Sequence, residues 1–254
     1  MIRKTVAAAA IVSATLLTAH PAAAQKDQAL TPDQAEAVRK VVREYLMEHP
    51  EVISEAIEAL REKMRAQAEA DAKQAVKAHK DDLFNAKDDP NAGNPKGDVV
   101  LVEFFDYNCG YCKVVMDTMM EAAKADGKVR IVFKEFPILA EESAVAARVA
   151  LAAKKQGKYD EVHRAFMKYR GKLDEKAIFR LAGEAGANVD QLRKEMMAPE
   201  IDQQIKKNIE LAHALDISST PTFVIGDRIL SGAMEGQVFK QLFDITRKGG
   251  KLSN

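Results

Sequence analysis

Two cysteines, Cys109 and Cys112, are all that the 254 residues contain. That scarcity excludes a disulfide-stapled scaffold, and it leaves a structural zinc site short of its usual four ligands. The five histidines (His20, His49, His79, His163 and His213) are scattered, with no Cys/His spacing pattern around the pair. Net charge is missing too: 38 lysines and arginines face 38 aspartates and glutamates. With no basic excess, neither a nucleic-acid partner nor a membrane surface is expected. Beyond the first residues no apolar run approaches the length of a membrane span. Glycine is absent from Thr31 to Phe84. The chain has no internal repeat and no low-complexity tract beyond an alanine-rich start.

The two cysteines lie in Asn108-Cys109-Gly110-Tyr111-Cys112-Lys113, directly behind Val99-Val100-Leu101-Val102-Glu103-Phe104-Phe105. The latter run is continuously apolar, β-branched and aromatic, with one carboxylate set into it, and it reads as a buried strand. After it, Val115, Met119, Ala122 and Ala123 recur near helical spacing, so a helix is expected to begin at or near Cys109. A Cys-x-x-Cys opening a helix behind a buried strand is the arrangement of a thiol–disulfide redox site. Backbone N–H groups and the helix dipole there stabilise a thiolate, which makes the first cysteine the candidate nucleophile. As a structural bridge the pair would close a tiny loop and constrain the unfolded chain little. Two thiolates suit Cu(I), which stays as an alternative use of the same residues. No other metal site and no cofactor are expected, because the redox group is the Cys109–Cys112 dithiol itself.

Residues 1–24 have the plan of a secretory signal peptide: Arg3 and Lys4, an apolar stretch from Val6 to Leu17, then Ala22-Ala23-Ala24 before Gln25. The apolar stretch is short for a membrane anchor and ends in His20-Pro21, so export with cleavage is expected. Without Arg3 and Lys4 the basic count falls from 38 to 36 against 38 acids, a net charge of −2. The mature chain is expected in an oxidising space, a bacterial periplasm, where a dithiol has disulfides to act on.

Residues 25–85 read as a helical stalk. Thr31-Pro32-Asp33-Gln34 is a helix start, with Thr31 as N-cap and Gln34 three residues beyond it. His49-Pro50 should kink or restart the helix. Val38, Val41, Val42, Tyr45 and Leu46, then Ile53, Ile57, Leu60 and Met64, form a narrow apolar stripe that cannot bury itself alone. It can pack on its own catalytic domain or on copies of itself. The 4-3-4 spacing of the last four favours self-association through residues 25–85. Residues 86–97, with two prolines and two glycines among charges, are expected as a linker or hinge.

From residue 98 to 249 the pattern is β-α-β, a helical insertion over 138–217, then β-β-α. Val129 to Glu135 is the second strand, ended by Phe136-Pro137. Thr222 to Ile225 and Arg228 to Leu230 form a hairpin over Gly226-Asp227, and Glu235 to Arg247 a closing helix.

Two features carry a resemblance. Ser219-Thr220-Pro221-Thr222-Phe223 resembles the cis-proline loop of thioredoxin-fold proteins. Glu103, six residues before Cys109, stands where the DsbA-like branch of that superfamily carries a buried acid. Residues 98–249 therefore resemble a DsbA-like thioredoxin fold, an α/β fold with a helical insertion. Val102 to Lys113, and the upstream His49-Pro50-Glu51-Val52-Ile53-Ser54-Glu55-Ala56-Ile57, are similar to the suppressor of copper sensitivity C family. That resemblance implies an N-terminal oligomerisation stalk and a homotrimer. It also implies either disulfide isomerase activity or a link to copper tolerance.

It assigns roles as well. Cys109 would attack a substrate disulfide, and Cys112, more buried, would resolve the mixed disulfide. Glu103 would move a proton to or from Cys112 with a raised pKa. Thr220, before a cis Pro221, would offer its backbone to an extended substrate segment. Gly110 and Tyr111 tune the site: the strong oxidants of the branch have Pro-His there, whereas tyrosine supplies no charge at pH 7. These residues favour an isomerase or reductase acting on disulfide-containing or misfolded secreted proteins and kept reduced by a membrane thiol reductant. The alternatives are a DsbA-like oxidase and a Cu(I)-binding protein.

Overall fold

The computed structural model describes residues 30–249. The signal peptide expected over residues 1–24 lies outside them. The chain divides into two compact units between Leu60 and Arg61.

In the first unit, helix α1 (Pro32–Glu48) opens on a complete capping box. Thr31 Oγ1 accepts from the Gln34 N–H at 3.3 Å, and Gln34 Oε1 accepts from the Thr31 N–H at 3.0 Å. The helix stops before Pro50, which cannot supply the next N–H, and α2 (Glu51–Ala78) restarts at once. Val38, Val41, Val42, Tyr45, Ile53, Ile57 and Leu60 are all exposed.

The second unit holds a five-stranded sheet. Its strands are β1 (Asn91–Gly93), β2 (Val99–Phe105), β3 (Val129–Glu135), β4 (Thr222–Ile225) and β5 (Arg228–Ser231), in the spatial order β1-β3-β2-β4-β5. β2 runs parallel to β3 and antiparallel to β4. Both faces are covered, which is why these strands read as continuous apolar runs. Leu101, Phe105, Ile131, Phe133 and Phe223 enter one core with α4 (Gly110–Asp126) and α10 (Gly236–Arg247). Helices α5 (Glu141–Lys155), α6 (Tyr159–Lys168), α7 (Glu175–Glu184) and α8 (Val189–Glu195), from the insertion, supply much of the rest of that core. Val102, Phe104, Val132 and Val224 face the other way, onto α9 (Pro199–Ala214) and the loop behind it.

The expected boundaries of the stalk and linker move. Val76, near the end of α2, and Leu83, in α3 (Lys80–Phe84), are fully buried in the second core beside Val102 and Phe104. Lys134 Nζ donates to the Asp82 carbonyl at 2.5 Å and Arg130 Nη2 to the Phe84 carbonyl at 2.6 Å. The far end of the expected stalk, from Val76 to Phe84, thus packs on the sheet.

Residues 86–97 are not a free connector. They contain β1, antiparallel to β3, and Asp89 makes a buried ion pair with Lys134. The glycines there serve close approach rather than flexibility. A Cβ on Gly93, at φ +75°, would stand 2.5 Å from the Val129 carbonyl oxygen, and one on Gly97 2.7 Å from the Arg130 nitrogen.

Candidate active site

The end of β2 and the start of α4 place the two sulfurs. Cys109 is the N-cap of α4, in extended conformation (φ −76°, ψ 113°), and its Sγ accepts from the Cys112 backbone N–H at 3.1 Å. A sulfur thus takes the place that a serine or aspartate oxygen fills in an ordinary cap. Cys109 Sγ also lies 3.3 Å from the Thr220 carbonyl oxygen, to which it donates when protonated. Cys109 is 5% exposed and Cys112 wholly buried.

The environments push the two thiols in opposite directions. The hydrogen bond from the Cys112 thiol is the largest influence on Cys109, and it outweighs burial. Thr220 and the backbone N–H groups of Cys112 and Tyr111 add to it, bringing the Cys109 pKa down to about 6. The Thr220 hydroxyl is buried with no partner of its own. For Cys112, burial comes first and the bond to Cys109 second, and both raise its pKa far above an ordinary thiol. Of the two thiols, Cys109 is therefore the one that ionises first and Cys112 the one that keeps its proton.

Glu103 is wholly buried on β2, across from Phe133 and Phe223. Neither of its oxygens has a hydrogen-bond partner. Burial, helped by the charge on Cys109, raises its pKa to about 8, and its own field raises Cys112 in turn. Gly110 is the first residue of α4, with open space where a side chain would be. Tyr111 is 70% exposed. The Thr220–Pro221 peptide is cis. The structure therefore brings Cys109, Cys112, Glu103 and Thr220 into one electrostatic cluster, with Tyr111 at its outer edge.

Residues that sequence reasoning passed over hold this cluster in place. Asp106 Oδ1 accepts from the Asn108 N–H at 2.7 Å and from Ser143 Oγ at 2.7 Å. Its Oδ2 accepts from the Ile138 and Leu139 N–H groups at 2.9 and 3.0 Å. One buried carboxylate thus ties the turn before Cys109 to the loop after β3 and to α5. Behind it, Glu135 accepts from the hydroxyls of Tyr107 and Tyr159. Glu135 had a visible signal, since it is a carboxylate in an apolar strand just as Glu103 is. Asp106 had none, because its partners are mainly backbone N–H groups distant in sequence.

Residues 100–244 match the DSBA-like thioredoxin domain. The chain belongs to the DsbA-like thioredoxin family. Residues 34–67 also match the Copper resistance protein ScsC N-terminal domain. Among solved structures, a thioredoxin-like oxidoreductase from Silicibacter pomeroyi DSS-3 is 44% identical, over 66% of this chain and 97% of that one, with a TM-score of 0.65. Proteus mirabilis ScsC in a transitional conformation is 29% identical over 87% of this chain and 100% of that one, with a TM-score of 0.65. A probable disulfide bond formation protein D of Bacillus anthracis is 23% identical over 161 residues, which is 58% of this chain and 74% of that protein. The chain spans 23% of the length of Na(+)/H(+) antiporters from Mycobacterium that share 27% identity with it over 141 residues. Among the described residues no helix is long and apolar enough to cross a membrane.

Proposed function

We propose that this DsbA-like protein is a periplasmic thiol–disulfide oxidoreductase that works as an oligomeric disulfide isomerase or reductase. The observation that carries the proposal is the split between the two sulfurs. Cys109, 5% exposed at the helix start, has its pKa pulled down to about 6, whereas Cys112 is wholly buried and its pKa is pushed far up.

Exchange follows from that split. The Cys109 thiolate attacks one sulfur of a substrate disulfide. A bond from Cys109 Sγ to that sulfur forms, the substrate S–S bond breaks, and the released substrate thiolate takes up a proton or attacks elsewhere. In isomerisation a second substrate thiolate displaces Cys109, and no net electrons move. In reduction Cys112 loses its proton, attacks Cys109 Sγ and releases the substrate with two electrons gained, leaving a Cys109–Cys112 disulfide for an external dithiol to reduce. Glu103, with its pKa near 8 and no competing hydrogen bond, suits the transfer of the Cys112 proton. The Thr220 carbonyl beside Cys109 suits pairing with an extended substrate segment.

Assembly is supported by the exposed apolar stripe on α1 and the first part of α2, which a homotrimer would cover. Export to the periplasm is supported by the signal-like first residues.

A second reading, copper protection through Cu(I) binding at the same thiols, is favoured by the match to a copper resistance domain. Two cysteine sulfurs have the right softness, but a buried Cys112 that holds its proton fits a cation poorly.

The deciding experiment is refolding of a scrambled multi-disulfide substrate, combined with thiol trapping in cells. The isomerase reading expects recovered substrate, cysteines trapped reduced, loss of activity in Cys109→Ser, and loss on removal of residues 25–60. Cysteines trapped oxidised, with oxidase activity indifferent to that deletion, would reverse the direction. A tight Cu(I) complex in a titration of the reduced protein, together with failed refolding, would move the function to copper.

A further inference from the structure

The exchange steps use only one of the two carboxyls buried in this face of the sheet. Glu135 closes β3 directly across from Phe105 and is 1% exposed. Its Oε1 accepts from the Tyr107 hydroxyl at 2.9 Å and from the Tyr159 hydroxyl at 2.8 Å. The Tyr107 oxygen also lies 3.0 Å from Nδ1 of His163. Since the single Tyr107 proton points to Glu135, Nδ1 must carry the imidazole proton and donate it to the Tyr107 oxygen. Nε2 is then a bare lone pair, and Nε2 is the ring nitrogen that is buried without a partner. Burial keeps His163 neutral, its pKa pushed down to about 3. With both hydroxyls donating to Glu135, the two tyrosine protons and the imidazole proton each have a place in the chain His163 to Tyr107 to Glu135. Phe105, Phe133 and Phe166 pack edge-on or tilted against these rings and keep water out.

Tyr107 connects this network to the chemistry. It is the second residue of the turn 106–109, whose Cys109 N–H donates to the Asp106 carbonyl at 3.0 Å. Asp106 and Asn108 fix one side of the turn, toward α5. Tyr107 fixes the other, toward β3 and α6.

We propose that Glu135 is a positioning residue for Cys109: through the Tyr107 hydroxyl it clamps the turn that sets the Cys109 sulfur against the Cys112 thiol and N–H. This inference rests on Cys109 being the exchanging thiol. Glu135 faces Tyr107 from the turn and Tyr159 from α6, and it feels Asp106 and Glu103 through space. Burial and these acidic neighbours push its pKa well above the ordinary carboxyl range, against the pull of the two tyrosine hydroxyls, and its part in the clamp is to accept those two hydrogen bonds. Hydrogen bonds at Cys109 Sγ dominate the acidity of that thiol, and slack in the turn lengthens them.

The test is the rate of iodoacetamide alkylation of Cys109 against pH, in the reduced full-length protein. Glu135→Leu and Tyr107→Phe should each shift the titration upward and slow alkylation at pH 6 by about tenfold. Glu135→Gln, whose amide oxygen can accept the same two hydroxyls, should restore the wild-type profile. Tyr159→Phe removes the other hydroxyl on the same oxygen but keeps the Tyr107–Glu135 bond that holds the turn, and it should lower the melting temperature while shifting the profile less than Tyr107→Phe does. Tyr107→Phe deletes a single oxygen and carries the test even if Glu135→Leu does not fold. A wild-type profile in Tyr107→Phe overturns the clamp, as does an equal shift in Tyr159→Phe. A wild-type protein that itself titrates like a free thiol overturns the exchange reading, and this role with it.

Discussion

Residues 30–60 and 61–249 draw on the same apolar residue types and leave them in opposite states. Leu60 is 57% exposed, whereas Leu83, 23 positions further on, is not exposed at all. Periodicity does not separate the two cases, because both fall on helices with polar neighbours. The difference is the presence of a sheet face to receive them. Val102, Phe104, Val132 and Val224 accept Val76 and Leu83, while most of the stripe from Val38 to Leu60 stays exposed. An apolar stripe states a need for cover, and only the tertiary structure says whether the same chain meets it.

Truncation should give the largest effect on this contrast. Deleting residues 25–60 should leave the unfolding free energy of the remaining protein within about 0.5 kcal/mol of its value in the full chain. Deleting residues 25–85 strips Val76 and Leu83 from the second core and should cost roughly 5 kcal/mol, enough to unfold many domains. Denaturant melts of the two truncations would erase the distinction if they coincided.

Single substitutions sharpen it. Leu83→Ala should cost roughly 3 kcal/mol by leaving a cavity. Leu60→Ala should change stability by less than about 0.5 kcal/mol yet lower the molar mass measured by light scattering, where the covered stripe holds copies together. Equal melting shifts in the two variants would mean that α2 is buried along its whole length.

A smaller effect comes from a carboxyl that the well-covered unit buries with neither oxygen partnered. Glu103 has a folded pKa of about 8 against an ordinary carboxyl value of 4.5. Between those values the folded protein holds a proton that the unfolded chain has released, so stability falls as pH rises through that window. Glu103→Leu should therefore stabilise the protein by on the order of 2 kcal/mol at pH 7.5. The gain should shrink toward pH 4.5, where the acid is neutral in both states. Urea melts across pH would show this as a flattened slope, and the same variant should slow the steps in which Cys112 takes part. An unchanged slope would place Glu103 in contact with water.

Most of the architecture was readable before any coordinate. A continuous apolar run followed by Cys-x-x-Cys marked β2 and α4, and Thr31-Pro32 with Gln34 marked the start of α1. Gly226-Asp227 marked the β4–β5 hairpin. These signals are local: a cap, a turn or a burial pattern is written in a few adjacent residues. β1 was missed because Asn91-Ala92-Gly93 carries no apolar pattern. Its pairing rests on backbone bonds such as Asn94 N–H to the Val129 carbonyl at 2.8 Å. The glycines beside it read as flexibility because close backbone approach is invisible in one dimension. In the site, the thiols were legible from type and spacing, and Glu103 and Thr220 entered only through the family resemblance. The Tyr107, Glu135, Tyr159 and His163 network was not, since it joins a turn, a strand and a helix up to 56 positions apart. His163 looked like one of several scattered histidines.

The four hydrogen bonds gathered by Asp106 have a consequence for how the protein handles its targets. Ile138 and Leu139, whose amides that carboxylate holds, carry exposed aliphatic side chains on the loop next to the reactive turn. Because a single side chain secures both segments, an apolar surface patch and the reactive turn are tied to one carboxylate. Under the exchange function proposed above, an unfolded client that adhered to that patch would lie beside the sulfur.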